Sequence, residues 1–269
     1  MSDRVGELAG KVALITGSSR GIGRGIALEL AAAGCDVMLT ARDATALGNV
    51  ADEIRSLGRK AAVYAADLTL IGAPANIVHA VSNTFGRLDV LINNAGANTR
   101  GNFLELSEQD WADGFDLKFF AHTRLCREAW PLLKAAQGSI VFIAGVGARA
   151  PVSDYTIGAS VVGASLSFMK ALADFAKQDG VQVNAVNPGS VKTDRFRSRL
   201  GRVMEKTGLT EKAAEEHHRR ELDITRFGTP EDIAGMVSFI VSPRGRWLQG
   251  TAIDMDGGQI DPLRMSRYD

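Results

Sequence analysis

The sequence predicts an α/β fold, a doubly wound parallel sheet with helices on both faces, formed as a single domain over residues 1–269. Three observations carry this expectation. Short apolar runs alternate with longer amphipathic stretches from end to end, and strands separated by helices close into a parallel sheet through right-handed crossovers. The first apolar run leads directly into a glycine-rich turn, TGSSRGIG at Thr16–Gly23. No Pro/Ser-rich linker, charge block or repeat divides the 269 residues, a length that buries roughly three quarters of its unfolded surface as one unit.

Taken in order, Val12–Thr16 is short, apolar and ended by glycine, as a fully buried strand is. Gly21–Ala33 reads as a helix, Asp36–Ala41 as the second strand, and Ala44–Leu57 as a helix stopped by Gly58. Ala61–Ala65, Leu88–Asn93, Ser139–Ala144 and Val181–Val186 continue the strands. Helices are expected between them over 75–85, 108–135 and 155–178. Ser107 with Asp110 three residues later has the form of a capping box. Thr229-Pro230-Glu231 reads as an N-cap followed by proline at the first helical position. Ala252–Met255 is the expected last strand.

Composition narrows the function classes. Net charge is zero, with 45% hydrophobic and 23% charged residues, so no general attraction to nucleic acid or to an anionic membrane is expected. The N-terminus lacks the apolar stretch of a secretory signal, and no run approaches the ~18 apolar residues of a membrane span. A cytoplasmic protein is expected. Cys35 and Cys126 fit neither a disulfide framework nor a metal site and read as reduced core thiols. His217-His218 reads as a surface pair, not a metal site, and no metal is expected.

The glycine turn follows a strand and opens a helix, the context in which such a motif binds phosphates. Gly17 permits the tight turn. Gly21 and Gly23 let backbone approach a pyrophosphate and let helix pack on strand. The helix N-terminus, with Ser19, Arg20 and Ile22 in the turn, offers unpaired N–H groups and partial positive charge. An acidic residue at the end of the second strand would favour a free ribose 2′-hydroxyl. That end here reads Leu39-Thr40-Ala41-Arg42. Arg42 and Arg20 supply two planar forks suited to a 2′-phosphate, so NADP(H) is expected over NAD(H), although Asp43 follows at once.

Further motifs stand in order: Asp67-Leu68 after the third strand, NNAG at Asn93–Gly96, NPGSVKT at Asn187–Thr193, RFGTPEDIA at Arg226–Ala234, and DMDGG at Asp254–Gly258. Together with the glycine turn they resemble the short-chain dehydrogenase/reductase family from Gly10 to Gly258. The resemblance implies a Rossmann-type domain that binds NAD or NADP, acts on a small alcohol or carbonyl compound, and assembles as a homodimer or homotetramer. It further implies that Asp67 and Leu68 hold the adenine, that Asn93, Ala95 and Gly96 line the ribose side, and that Pro188, Gly189, Val191 and Thr193 contact the nicotinamide half.

The family is known for an Asn-Ser-Tyr-Lys catalytic set, and here the chain departs from it. Tyr155 is present, but four residues on stands Ala159, the serine place falls at Gly145, and the asparagine place at Lys118. Two readings follow. In one the site is rewired: Lys118 presents its ammonium to Tyr155 from a neighbouring helix, and Ser153 replaces the serine. A unit charge about 4 Å away at an effective dielectric near 20 is worth ~4 kcal/mol. That is about three pKa units, enough to bring a phenol from ~10 toward ~7. Arg149 is another candidate cation. In the other reading the protein binds nucleotide without Tyr-dependent catalysis, as a sensor or scaffold. A lyase or epimerase on the same fold is a third.

Two segments stay open at this stage. Arg195–Asp223 is highly charged and reads as a substrate lid or as a solvated helical pair. Within it Arg195, Arg197, Arg199 and Arg202 either attract an anion or face solvent. Gly158, Ala159, Gly163 and Ala164 are expected to let a partner helix pack closely.

Overall fold

The computed structural model describes residues 6–259, so the two ends of the expected 1–269 domain lie outside the described residues. Seven strands form one parallel sheet in the order β3-β2-β1-β4-β5-β6-β7. These are β1 (Val12–Thr16), β2 (Asp36–Ala41), β3 (Ala61–Ala65), β4 (Val90–Asn93), β5 (Ser139–Ile143), β6 (Gln182–Pro188) and β7 (Ala252–Met255). The connecting helices are α1 (Gly21–Ala32), α2 (Ala44–Ser56), α3 (Ala73–Phe85), α4 (Glu108–Phe115), α5 (Ala121–Ala136), α6 (Thr156–Ala176), α7 (Asp194–Thr207), α8 (Glu211–Glu221) and α9 (Pro230–Val241).

The period-2 pleat divides the strands between two cores. Ala13, Ile15, Val37, Leu39, Ile92 and Val141 face α1, α2 and α9, meeting Ile26, Leu30, Leu47 and Ile233. Their neighbours Val12, Leu14, Met38, Leu91, Ile140 and Phe142 face α3, α5 and α6, meeting Ile77, Leu125 and Met169. Cys35 and Cys126 are buried free thiols, and burial pushes both up to about 12.

Both expected N-terminal signals are present. Ser107 and Thr229 accept from the amides of Asp110 and Asp232, whose carboxylates accept the cap amides in return.

Two expectations are corrected. The helix expected over 108–135 is not continuous: a π-helical turn, Asp116–Phe120, separates α4 from α5. His218 is not a surface residue. Its ring stacks on Phe227 at 5.8 Å and lies 6.5 Å from Phe196, inside a small core that α7 and α8 build for themselves with Leu200, Ala214 and Ile224. Two of the small residues of α6 meet neighbouring segments of their own chain. Gly158 makes room for the ring of Tyr155, and Ala159 lies against Gly147. One helical stretch, Ser153–Asp179, is long and apolar enough to cross a membrane by length and composition alone. It buries Val161, Val162, Met169 and Ala173 within the molecule.

Candidate active site

The strand order reverses between β1 and β4, and open α/β sheets bind ligands outside the carboxyl ends of the strands at such a point. Two turns are locked together there. The Thr16 hydroxyl donates to the Ile92 carbonyl at 3.2 Å and accepts the Asn94 and Ala95 amides at 2.9 Å each. The Asn94 side chain donates to the carbonyls of Thr16 and Gly17 at 2.8 and 3.2 Å. Gly17 has φ +64°, and a Cβ there would lie 3.0 Å from the Ala95 Cα. A Cβ on Gly23 would lie 2.2 Å from the Gly17 carbonyl oxygen, so any other residue would force the turn apart.

The N-terminus of α1 has no side-chain cap, because Arg20 at the N-cap position is extended and makes no capping bond. The first N–H groups of α1 and its partial positive charge therefore face outward beside Ser19 and Gly21. Ile22 packs on the core below. Arg42 is exposed just after β2. The Asp67 carboxyl is held below the usual carboxylate range, first by hydrogen bonds from Thr69 and last by the Arg42 charge. Leu68 is buried next to it. Across the cleft, Pro188 ends β6, Gly189 donates to the Met255 carbonyl, and Val191 bridges to Gly228. Thr193 stands against Gly21. Asn93 turns inward: its side chain is fully buried and donates to the Cys126 sulfur at 3.2 Å. Its ribose-side expectation is thereby reduced to the backbone, beside Ala95 and Gly96.

The phenol of Tyr155 sits beside this cleft on a 3₁₀ turn, Ser153–Tyr155, that leads into α6. The ring folds back over the first turn of the helix. A Cβ on Gly158 would lie 2.0 Å from the Tyr155 Cζ, and one on Gly147 would lie 2.8 Å from Cε1. The ring therefore occupies the volume that a side chain at position 158 would fill. Asn98 Nδ2 donates to the phenol oxygen at 3.4 Å, and the Arg100 guanidinium lies 4.1 Å from the ring centre. Neither contact is legible in the sequence, because both residues arrive on the irregular segment after β4. Ser153 is exposed two residues before the phenol.

Lys118 lies in the π turn and is only 9% exposed. Its stem runs along Gly96, where a Cβ would lie 3.0 Å from the Lys118 Cδ. Its ammonium donates to the Ala144 carbonyl at 2.5 Å, just beyond β5. The expected direct partnership is therefore not a hydrogen bond: Lys118 is held on Ala144, and the Tyr155 oxygen on Asn98. Burial, with Arg195 nearby, lowers the Lys118 pKa to about 8. His122, one turn on, is buried and pushed to about 3 by desolvation and by Lys118, and its Nε2 has no partner. Arg149, the other candidate cation, pairs with Asp254 at 3.2 Å. Among the described residues no group of three or more His, Cys, Asp or Glu is arranged to hold a metal ion.

The segment after β6 straddles the cleft. Asp194 lies 3.7 Å from Arg20 on the glycine turn, and Arg195 donates to the Gly96 carbonyl at 2.7 Å. The arrangement offers an anion cradle at one end and a proton-bearing phenol at the other.

A family profile described as enoyl-(acyl carrier protein) reductase matches residues 17–259. A hydroxynaphthalene reductase of Aspergillus fumigatus is 33% identical over 249 residues, covering 90% of each chain. The L-sorbose reductase of Gluconobacter frateurii, solved with NADPH and L-sorbose, superposes with a TM-score of 0.92 at 30% identity, covering 97% of this chain and all of its own. A 7α-hydroxysteroid dehydrogenase solved with NADH superposes at 0.86 with 29% identity, covering 96% and 97%. Both nucleotides thus occur on this fold, and the choice between them rests on side chains.

Proposed function

The chain belongs to the short-chain dehydrogenase/reductase family, and from that premise we propose that it is an NADP(H)-dependent oxidoreductase that interconverts an alcohol and a ketone or aldehyde, with Tyr155 as the acid/base. The observation that carries this reading is one sheet end that combines an uncapped helix N-terminus behind a glycine cradle with a half-buried phenol. The cradle suits a dinucleotide, since Cβ atoms at Gly17 and Gly23 would collide with Ala95 and with the Gly17 carbonyl and force apart the tight turn that brings main-chain amides to a diphosphate. The main chain at Gly17, Ser19, Gly21 and Gly23 would hold the diphosphate, with Asp67 and Leu68 toward the adenine and Pro188, Gly189, Val191 and Thr193 toward the nicotinamide. Ala41 in place of a carboxylate, followed directly by Arg42 and with Arg20 in the glycine turn, favours the 2′-phosphate of NADP(H). The NADPH bound to the sorbose reductase supports the same choice. Once bound, the dinucleotide supplies or accepts the hydride.

Tyr155 then gives a proton to the carbonyl oxygen during reduction and takes it back during oxidation. Asn98 fixes the phenol by donating to its oxygen. Lys118 contributes a buried positive charge near the end of β5, which favours negative charge developing on the substrate oxygen. Ser153 is the candidate hydroxyl for orienting that oxygen. The segment Arg195–Asp223 acts as the lid. A homodimer or homotetramer in the cytoplasm completes the proposal.

The reading that the chain binds nucleotide without Tyr-dependent catalysis draws on one observation, that the Lys118 ammonium is committed to Ala144. Stopped-flow oxidation of NADPH over a panel of carbonyl compounds separates the two. Tyr155→Phe is expected to lower turnover by 10²-fold or more while leaving NADPH affinity unchanged. Wild-type turnover in that variant would overturn the assignment, and tight NADPH binding with no oxidised cofactor on any compound would favour the sensor reading.

A further inference from the structure

We propose that Arg199, flanked by Arg100 and Arg202, forms a binding site for an oxyanion carried by the substrate, a carboxylate or a phosphate, beside the Tyr155 phenol. The inference rests on the reading of that phenol as the reacting centre and adds the substrate's chemical class.

Arg195, Arg199 and Arg202 follow the i, i+4, i+7 spacing of one helical face of α7. Arg195 fixes where that face points, since its guanidinium donates to the Gly96 carbonyl at 2.7 Å, next to the stem of Lys118. One turn further, Arg199 is half-buried and lies within the electrostatic reach of Arg100, Arg202, Tyr155 and Asp154. Arg100 is held in place from two sides. It lies over the Tyr155 ring at 4.1 Å, and its Nη1 donates to both Asp154 oxygens at 2.9 and 3.0 Å.

Carboxylates nearby are already engaged. Asp154 is taken by Arg100, and Asp194 by Arg197 and Arg20. Among the described residues, Arg199 and Arg202 form no ion pair and no side-chain hydrogen bond, in contrast to Arg24, Arg59, Arg87, Arg219 and Arg226. Burial and its two guanidinium neighbours press the Arg199 pKa down, yet a guanidinium stays charged at any ordinary pH. The fold therefore brings three cations to one carboxylate, already paired with Arg100, and leaves Arg199 partly desolvated without an ion-pair partner of its own. A bidentate oxyanion on Arg199 relieves both costs. A merely solvated arginine would be exposed, as Arg202 is.

The test is calorimetric titration of the NADPH-loaded protein with three probes of similar shape: benzoate, phenyl phosphate and neutral methyl benzoate. Preloading keeps the probes off Arg20 and Arg42. At least one anion is expected to bind about tenfold or more tightly than methyl benzoate, and the tighter anion identifies the carboxylate or phosphate class. Arg199→Gln is expected to lose about tenfold in anion affinity, and Arg199→Lys to retain part of it, with NADPH affinity measured in each variant as the control for folding. The proposal is overturned if methyl benzoate matches the anions, if Arg199→Gln binds them like the wild type, or if neither anion binds at about 10 mM. Turnover enters neither arm, so anion binding without reduction of any carbonyl would refute the proposed reaction and leave this site standing.

Discussion

Lys118 brings a positive charge into a place with one acceptor, the Ala144 carbonyl, and no carboxylate. Its pKa falls from 10.5 to about 8 because burial penalises the charged form, a differential on the order of 3 kcal/mol. Below pH 8 the lysine is charged in both folded and unfolded states, and the penalty is constant. Between pH 8 and 10.5 the unfolded chain holds more protons, so stability rises with pH. Lys118→Met is therefore expected to raise stability at pH 7 by up to about 3 kcal/mol, or about 2–4 °C in Tm per kcal/mol, and to abolish the rise between pH 8 and 10.5. A melting profile that keeps that rise would show that another group causes it. His122 acts at the other end of the scale. Its pKa falls from 6.5 to about 3, so it stays neutral in the fold while the unfolded histidine protonates, and stability is lost as pH drops from 6.5 toward 3. Gly158 gives a steric test. Glycine to alanine in a helix ordinarily gains about 1 kcal/mol, but here the new Cβ would sit 2.0 Å from the Tyr155 Cζ. Gly158→Ala is expected to displace the phenol and to lower turnover as Tyr155→Phe does. Unchanged turnover would mean that the ring position is not functional.

At the level of elements, the strands and caps were legible because each is written in local residues. Thr229-Pro230 with Asp232 forms the cap it promises, and Thr229→Ala is expected to cost about 1 kcal/mol in chemical denaturation. An unchanged midpoint would show that water replaces the cap. The break between α4 and α5 was not legible. A π turn adds one residue to a helix, and the apolar pattern around Leu117 and Phe119 does not register so small a slip. Yet the break carries Lys118, and single π turns recur at functional sites. The segment after β6 was half legible. Its charge was plain, but the clustering of Phe196, Leu200, Ala214 and Phe227 with the buried His218 came only with the fold. That small core packs one face of α7, and from the same helix Arg195 reaches the Gly96 carbonyl.

For the molecule as a whole, alternation of strand and helix was enough to specify a parallel sheet, and the glycine turn marked which end would bind. What the sequence concealed were meetings between distant segments. Asn98 and Arg100 reach Tyr155 across more than fifty positions, and no spacing rule records that. Nor did residue types reveal that Asn93 would face Cys126 or that Arg149 would be taken by Asp254. Function in this molecule turns on the sheet end between β1 and β4 gripping a 2′-phosphorylated dinucleotide. Isothermal titration calorimetry with NADPH and NADH, on the wild type and on Arg42→Ala, tests this directly. NADPH is expected to bind at least about tenfold more tightly than NADH, and Arg42→Ala to erase most of that difference. Absence of binding by either nucleotide, or equal affinity for both in the wild type, would contradict it.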